Sequence, residues 1–249
     1  MFRAKSYLYD TLVTRNSYIA IAEGYTSWRS KPWPIALVSL PGTILDLGAG
    51  ACINGVEAAR RTGSYVVCLD YSPTMISIAR RVACRKGVPS DQVVADMTRP
   101  PLRENSFNTI LAIASIHHVP PTHIDSLARQ LRALLKPHGF LVATIWSWRQ
   151  PRFAAQTLLN MLETFFGLLE YPRRYVARWK TRRATYERVY YLYTLGEMTR
   201  RLQRAGLKIL SKGYYSPSKN TSQNVYVVAT KPSSPLHVLE RESALRIFE

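Results

Sequence analysis

Acidic residues are scarce in this chain. Asp and Glu total 16 against 34 Lys and Arg in 249 residues, so the formal net charge is +18. So few acids cannot pair the bases, which disfavours the interpretation of a surface adapted for solubility or heat through ion pairs. An excess of this size predicts a salt-sensitive attraction to a polyanion. Nucleic acid is the first candidate for that partner, and an anionic membrane surface is the second.

Cysteines and long apolar runs are scarce too. The three cysteines, Cys52, Cys68 and Cys84, form no C-x-x-C pair, so we expect neither zinc nor another metal. Their small, odd number is typical of a reducing compartment, and we expect all three to be unpaired, buried small hydrophobes. No uncharged apolar window of about 18 residues occurs, and MFRAKSYLYD lacks a signal-peptide core. We therefore expect no membrane span and a cytoplasmic location.

Short apolar runs alternate with helical segments from Thr43 onward. This alternation predicts an α/β fold, with a parallel sheet and helices on both of its faces. The runs are TILDL, YVVCLD, QVVAD, FNTILAIAS and GFLVATIW, and the helices between them lie near 52–61, 73–86 and 122–135. Before this core, Tyr7 to Glu23 has helical spacing, and Tyr25 to Pro34 is a Pro-punctuated loop.

The rhythm breaks after residue 148. Residues 149–188 contain a helical stretch and then an Arg-rich stretch, with nine bases and three acids in all. Thr194 to Ala205 predicts a helix, and GLKILSKGYY and SQNVYVVATK predict an antiparallel hairpin that closes the sheet. We divide the chain into an N-terminal helix and loop, a core, a basic helical insertion, the C-terminal part of the core sheet and a tail: 1–42, 43–148, 149–188, 189–231 and 232–249.

The turn after the first apolar run indicates a nucleotide-like ligand. Gly48 and Gly50 of DLGAG stand between a strand and a helix, where the backbone must approach a ligand closely. Asp70 follows Gly50 by 20 residues and ends the second strand. A carboxylate in that place can accept hydrogen bonds from both hydroxyls of a ribose.

Three kinds of nucleotide ligand compete for this turn. A nicotinamide or flavin site expects G-x-G-x-x-G, but bulky Ile53 takes the place of the third glycine, and no G-K-[ST] follows for a Walker-type loop. Asp46 beside the turn disfavours a pyrophosphate and suits a cationic ligand. S-adenosylmethionine carries an ammonium and a sulfonium and no phosphate, so electrostatics favours it. Further along, Asp96 and Met97 could lie near its adenine, and small Ala114 and Ser115 could admit its methyl-donor end.

At this level the chain resembles class I S-adenosylmethionine-dependent methyltransferases. The motifs DLGAG, LDYS, VADM and LLKPHGFL succeed one another as in that family and cover residues 43–146, with Cys52 in place of the usual third glycine of the first motif. The resemblance implies a Rossmann-like, seven-stranded, mostly parallel sheet with an antiparallel C-terminal hairpin. It implies S-adenosylmethionine as the cofactor and these cofactor-binding residues: Tyr25, Trp33, Asp46, Gly48, Gly50, Asp70, Tyr71, Asp96, Met97 and Ala114.

Four further stretches are similar to the tRNA wobble-uridine carboxymethyl methyltransferases. They are YIAIAEGYTSWRSKPWPI (18–35), SIHHV (115–119), ATIWSWRQ (143–150) and ERVYYLYTLGEM (187–198), where Leu192 replaces a histidine of the family pattern. The resemblance implies methylation of a carboxymethyl group on the wobble uridine of tRNA to a methyl ester. It also implies a small zinc-containing activator protein as a partner.

A carboxylate acceptor makes modest demands on the protein. It is already ionised at neutral pH, so catalysis needs in-line positioning and no general base. The candidates for holding it are Arg29, His117, His118 and Arg149, of which Arg29 is best placed for a bidentate pair. Strand side chains alternate, so at most one histidine should face the cleft, and His117 is our first choice. Each has a structural alternative, as a core histidine or a surface cation.

The Arg-rich stretch suits a splayed RNA loop, because arginines bind phosphates and aromatic side chains stack on unpaired bases. Its arginines alternate with Tyr171, Tyr175, Trp179 and Tyr186. The alternative is a solvated helix face. The candidate RNA-binding residues are Arg149, Arg173, Arg174, Arg178, Arg182 and Arg183.

Other functions stay open. The core motifs alone fit a methyltransferase acting on another RNA position or on a small molecule, although the charge and the RSKPWP element favour tRNA. A cofactor-binding RNA chaperone without activity is disfavoured by the intact set of Asp46, Gly48, Gly50 and Asp70.

Overall fold

The computed structural model describes residues 7–148, 150, 153–167, 169, 171–182, 184–216 and 224–233. Two of the predicted RNA-binding residues, Arg149 and Arg183, lie outside the described residues. So do most of the SPSKNT loop and the tail beyond residue 233.

Six α-helices and nine strands are found in the described residues. The helices are α1 Tyr7–Trp28, α2 Ile53–Thr62, α3 Pro73–Arg85, α4 Pro121–Leu134, α5 Ala154–Phe165 and α6 Leu195–Arg204. The strands are β1 Thr43–Leu47, β2 Tyr65–Asp70, β3 Ser90–Val94, β4 Phe107–Ile113, β5 Leu135–Trp146, β6 Arg174–Lys180, β7 Thr185–Tyr191, β8 Lys208–Tyr215 and β9 Asn224–Thr230. Short 3-10 turns cover Pro34–Leu37 and Ile116–His118.

The main sheet confirms the predicted Rossmann-like α/β fold. Its seven strands run in the order β3-β2-β1-β4-β5-β9-β8. The first five are parallel, while β9 is antiparallel to both β5 and β8, as predicted for the closing hairpin. Neighbouring residues face opposite sides: Leu45 packs towards α4 and α6, and Ile44 packs towards α2 and α3. Strand order reverses between β1 and β4, so a ligand crevice is expected at their carboxyl ends.

Helix α1 is longer than predicted. It continues from Glu23 to Trp28, so the first residues of the expected loop 25–34 are helical. No proline interrupts the chain before Pro32, and the Arg29 amide donates to the Tyr25 carbonyl at 2.9 Å as the helix ends. Tyr25 and Trp28 are therefore held on a helix that passes beside the crevice.

The Arg-rich part of the insertion is a β-hairpin, which corrects the helical prediction. β6 and β7 pair antiparallel as a separate two-stranded sheet, and β7 crosses the predicted boundary at residue 188. The segments RYVARWK and TYERVYY are rich in aromatic and β-branched residues, which favour a pleated, half-buried surface. The hairpin packs on α1, where the hydroxyl of Thr14 accepts the Val189 amide at 2.9 Å.

Helix α5 turns its polar side inward. Thr157 and Asn160 are buried, and the Asn160 amide group donates to the Arg174 carbonyl. Leu158 and Phe165 are 64% and 83% exposed, and Leu159, Met161 and Leu162 are exposed with them. Even so, none of the helices in the described part of the chain is both long and apolar enough to cross a bilayer.

The cysteine prediction is wrong in two respects. Cys52 and Cys68 are buried but bonded to each other as a disulfide, and Cys84 is exposed. Cys52 immediately precedes α2 and Cys68 lies on β2, with their Cα atoms 5.8 Å apart. Two cysteines 16 residues apart form no sequence pattern that indicates a disulfide. The fold brings them together, because the turn between β1 and α2 lies beside β2.

Candidate active site

A deep pocket opens at the carboxyl ends of β1, β2 and β4, where the strand order predicts it. It encloses about 1060 Å³, counting its open mouth. The floor is formed by the glycine turn after β1, and one wall by α1. Its lining includes these predicted site residues: Tyr25, Arg29, Gly48, Gly50, Asp70, Tyr71, Asp96, Met97, Ala114 and His118.

The glycine turn has a backbone that only glycine adopts easily. Gly48 and Gly50 have φ values of +67° and +54°. A Cβ on Gly48 would lie 2.5 Å from the Ser115 Cβ, so a side chain there would close the space between the turn and the end of β4. The Ala49 amide donates to the Leu69 carbonyl at 2.9 Å, which ties the turn to β2.

Two carboxylates line the pocket beyond the turn. Asp70 accepts hydrogen bonds from the amides of Gly50 and Ser72, both at 2.8 Å, so the turn and the start of α3 fix its orientation. Burial raises the pKa of the Asp70 carboxyl despite these bonds. Asp96 follows β3 and accepts from the amide and hydroxyl of Thr98 at 2.8 and 2.9 Å. These donors leave each carboxylate orientated beside the pocket.

Asp46 lies beneath the turn rather than on the pocket surface. It is 2% exposed, and its Oδ2 accepts the Gly55 amide at 2.9 Å. Burial raises its pKa to about 7, opposed by the Gly55 bond. Its place on β1 beside Cys68 turns the side chain into the layer under α2. Asp46 therefore orders the glycine turn from below, whereas the sequence reasoning placed its carboxylate against the ligand.

The pocket also has a cationic and aromatic part. The Arg29 guanidinium lies 4.4 Å from the ring centroid of Trp33, and its Nη1 is 3.4 Å from the Tyr25 hydroxyl. Its buried Nη2 has no hydrogen-bond partner. Trp33 itself does not line the pocket, but supports Arg29 from behind. An arginine held on a tryptophan with a free donor is suited to an anionic group.

The two histidines lie next to each other in a 3-10 turn and not on a strand, and the turn points them in different directions. His118 lines the pocket: its Nδ1 contacts the Val189 carbonyl at 2.9 Å and its Nε2 the Tyr18 hydroxyl at 3.3 Å. His117, our first choice, lies behind it against Trp146 and Tyr190, and its Nδ1 has no partner. Burial lowers the pKa of both, that of His118 to about 4. Both imidazoles are therefore neutral at pH 7.

The insertion arginines divide into paired and exposed ones. Arg174 forms a bidentate pair with buried Asp10, at 2.6 and 2.7 Å, and Arg173 pairs with Glu197. Both join structural elements and are poorly placed to bind RNA. Arg178 is exposed and pairs with exposed Glu187, and Arg182 is exposed near the hairpin turn.

Several pocket residues were missed by sequence reasoning. Tyr7, Arg15 and Tyr18 come from α1, and Asn54 from the start of α2. The Arg15 Nε donates to the Tyr71 carbonyl at 3.0 Å, and its guanidinium lies 5.0 Å from the Tyr71 ring centroid. The helical spacing of Tyr7, Arg15 and Tyr18 could have indicated one pocket-facing side of α1.

The chain is similar to known methyltransferases. Residues 44–139 match the family described as "Methyltransferase domain". A tRNA (carboxymethyluridine(34)-5-O)-methyltransferase of Schizosaccharomyces pombe is 26% identical over 240 residues, covering 90% of this chain and 98% of that protein. A ubiquinone biosynthesis O-methyltransferase of Xanthomonas campestris is 30% identical over 149 residues, covering 57% of this chain and 54% of that protein.

Solved structures support the fold. A Methanosarcina mazei S-adenosylmethionine-dependent methyltransferase aligns with a TM-score of 0.68 at 18% identity, covering 82% of this chain and 100% of that one. A chain of a complex between the Haloferax volcanii Trm112 methyltransferase activator and a methyltransferase aligns with a TM-score of 0.61 at 15% identity. The alignment covers 90% of this chain and 100% of that one. Residues 44–139 thus match a methyltransferase domain, and the chain is similar in sequence and fold to S-adenosylmethionine-dependent methyltransferases.

Proposed function

We propose that this protein transfers the methyl group of S-adenosylmethionine to the carboxymethyl group on wobble uridine-34 of tRNA, giving the methyl ester. The observation that carries the proposal is that one pocket combines two orientated carboxylates with an arginine that has a free Nη2 donor, a neutral histidine and tyrosines. The near full-length relative with that activity in its name supports the choice of acceptor.

The carboxylates and the glycine turn fit the cofactor. Asp70 would hold the ribose hydroxyls, and Asp96 with Met97 would flank the adenine, since both carboxylates line the pocket in fixed orientations. The bare backbone at Gly48 and Gly50 would admit the amino-acid portion. When bound, the cofactor supplies an electrophilic methyl group on a sulfonium.

Arg29, Tyr18 and His118, which we call the acceptor end of the pocket, fit an acceptor carboxylate. A carboxylate oxygen would take the methyl group directly and leave a thioether, so the chain would need to remove no proton. The chain must hold the carboxylate in line and shield it from water. Arg29 would orient it, and Tyr18 and His118 would complete the wall as neutral hydrogen-bonding groups.

The hairpin offers a surface for the tRNA. Arg178 and Arg182 are exposed near its turn, and Trp179 between them contacts Trp28 and Tyr25 at the pocket. Cations and a cluster of aromatic rings beside the acceptor end suit an anticodon loop with a splayed base. We include a small zinc-binding activator of the Trm112 kind as a further partner, since a chain from such a complex shares the fold.

The test is mass spectrometry of tRNA nucleosides after incubation with the purified protein, the labelled methyl donor and tRNA bearing carboxymethyluridine, with and without an activator. We expect a labelled methyl ester at the wobble position and none with Asp70→Ala. A labelled product elsewhere in the tRNA would refute the position but keep the substrate class.

A small-molecule O-methyltransferase is the second candidate, because the chain is also similar to ubiquinone biosynthesis O-methyltransferases. A phenol or catechol acceptor must lose a proton, so a group that accepts it would be needed. Transfer to a catechol acceptor without transfer to tRNA would favour this candidate.

A further inference from the structure

Arg188 is a buried cation without an anion. It lies on β7 and is 6% exposed, and it forms no ion pair with a carboxylate of the described residues. Its buried Nε has no hydrogen-bond partner. The guanidinium carbon instead lies 5.5 to 5.7 Å from the ring centroids of Tyr18, Tyr25, Trp179 and Tyr190.

Two neighbouring arginines of the insertion, unlike Arg188, have carboxylate partners. Arg174, also largely buried, has the Asp10 carboxylate, and Arg173 has Glu197. A buried charge that lacks a partner is costly, and aromatic faces offset only part of that cost. An apolar residue of similar size would fit the same cage of rings at less cost. The retained charge therefore indicates a use for positive potential at this place.

The charge stands directly behind the acceptor end of the pocket. Tyr18 and Tyr25 lie between Arg188 and the pocket, and Tyr18 contacts the pocket face of His118. Burial lowers the pKa of His118 and of His117, and the positive charge of Arg188 lowers both further. The titratable and charged groups around it are Tyr18, Tyr25, Tyr190, His117, His118 and Arg29. None of these groups is a carboxylate, so no acidic side chain among them pairs with the charge.

We propose that Arg188 is a positioning residue that makes the acceptor end selective for an anionic acceptor, by projecting a positive potential through Tyr18 and Tyr25. This rests on the proposed function and adds a discrimination to it. The same nucleoside with a neutral carbamoylmethyl group, which matches the carboxymethyl group in shape, should be bound poorly. Arg29 would contact the acceptor, whereas Arg188 would act from behind the wall.

The first measurement compares tRNAs that carry the carboxymethyl or the carbamoylmethyl group, as competing ligands in the presence of S-adenosylhomocysteine. Wild type should prefer the anion, and Arg188→Met should lower that preference roughly tenfold or more. Arg188→Lys should retain part of it. The matched control is Arg61→Met on α2, where the cation is exposed and paired with Glu57. Equal preferences in wild type and Arg188→Met would overturn the proposal.

The second measurement does not depend on the tRNA. The pKa of His118 is followed by NMR in wild type, Arg188→Met, Arg188→Lys and Arg61→Met. Loss of the charge in Arg188→Met should raise the pKa of His118 by a part of its shift, since burial, the larger cause, remains, and the other two variants should leave it unchanged. An unchanged pKa in Arg188→Met overturns the proposal whatever the acceptor. If the pKa of His118 rises in Arg188→Met but the protein methylates no carboxymethyluridine, the proposed function fails, whereas the positive potential of Arg188 is supported.

Should Arg188→Met not fold, Arg188→Gln replaces it in both measurements. The wild-type competition alone already overturns the proposal if the neutral carbamoylmethyl tRNA binds as tightly as the carboxymethyl tRNA.

Discussion

His118 and Asp46 are residues whose protonation acts on stability with opposite signs. The pKa of folded His118 is about 4 against an ordinary 6.5, so its contribution is present above pH 6.5 and is lost as the pH falls towards 4. The pKa of folded Asp46 is about 7 against an ordinary 3.8, so its contribution is present below 3.8 and is lost as the pH rises towards 7.

Urea unfolding between pH 4 and 8 separates the two. In wild type, acidification should lower the free energy of unfolding through His118 by at most about 3 kcal/mol, and His118→Asn should remove this loss. Asp46→Asn, which keeps an acceptor for the Gly55 amide, should remove the opposite loss between pH 4 and 7. If both variants follow the wild-type pH dependence, the two side chains titrate normally in the folded protein.

Arg29 is the residue with which the acceptor assignment is tested. Arg29→Met removes the free donor over Trp33, so kcat/KM for tRNA should fall about a hundredfold, as for loss of a charge-assisted bidentate contact. Arg29→Lys should recover only part, because an ammonium lacks the planar fork. Calorimetry should show little change in the affinity for S-adenosylmethionine. A large loss of that affinity would mean that Arg29 holds the carboxylate of the cofactor instead.

At the scale of elements, the disulfide joins the turn before α2 to β2 and so braces the floor of the pocket. A cross-link that closes a loop of about 15 residues stabilises by about 3 kcal/mol in the chain-entropy account. Cys52→Ser should lose about that much in urea unfolding under oxidising conditions. Added dithiothreitol should bring wild type to the same level, and Cys84→Ser should behave as wild type. Free thiols at both positions in the purified oxidised protein would contradict the bond.

Elements set by local sequence were predictable, and those set by distant contacts were not. The glycine turn, the parallel strands and α6, with its Thr194 cap, follow from patterns within a few residues. The helix in 149–188 was predicted, but charge density hid the strand pattern of RYVARWK. His117 and His118 were placed on a strand, but β4 ends at Ile113 and a 3-10 turn changes which one faces the pocket. The cage around Arg188 combines α1, β6 and β7, which no local pattern brings together.

At the scale of the whole molecule, the net charge of +18 affects every encounter with a polyanion, while only some cations are placed beside the pocket. Arg178 and Arg182 are exposed there, whereas Arg60 and Arg61 are exposed on α2 and both pair with Glu57. Reversal of either pair changes the net charge equally. The two double variants therefore separate general attraction from docking at the hairpin.

Charge reversal of Arg178 and Arg182 to glutamate should weaken tRNA binding and make its dependence on salt shallower. Each lost phosphate contact should reduce the slope of log K against log salt by about 0.7 to 0.9. Arg60→Glu with Arg61→Glu should weaken binding less and keep the slope, because long-range attraction is screened beyond about 10 Å at 0.1 M salt. Filter binding at several salt concentrations gives both quantities, and calorimetry with S-adenosylmethionine should show both variants unchanged. Equal effects of the two pairs on affinity and slope would mean that the hairpin is not the docking surface and that tRNA responds only to the total charge.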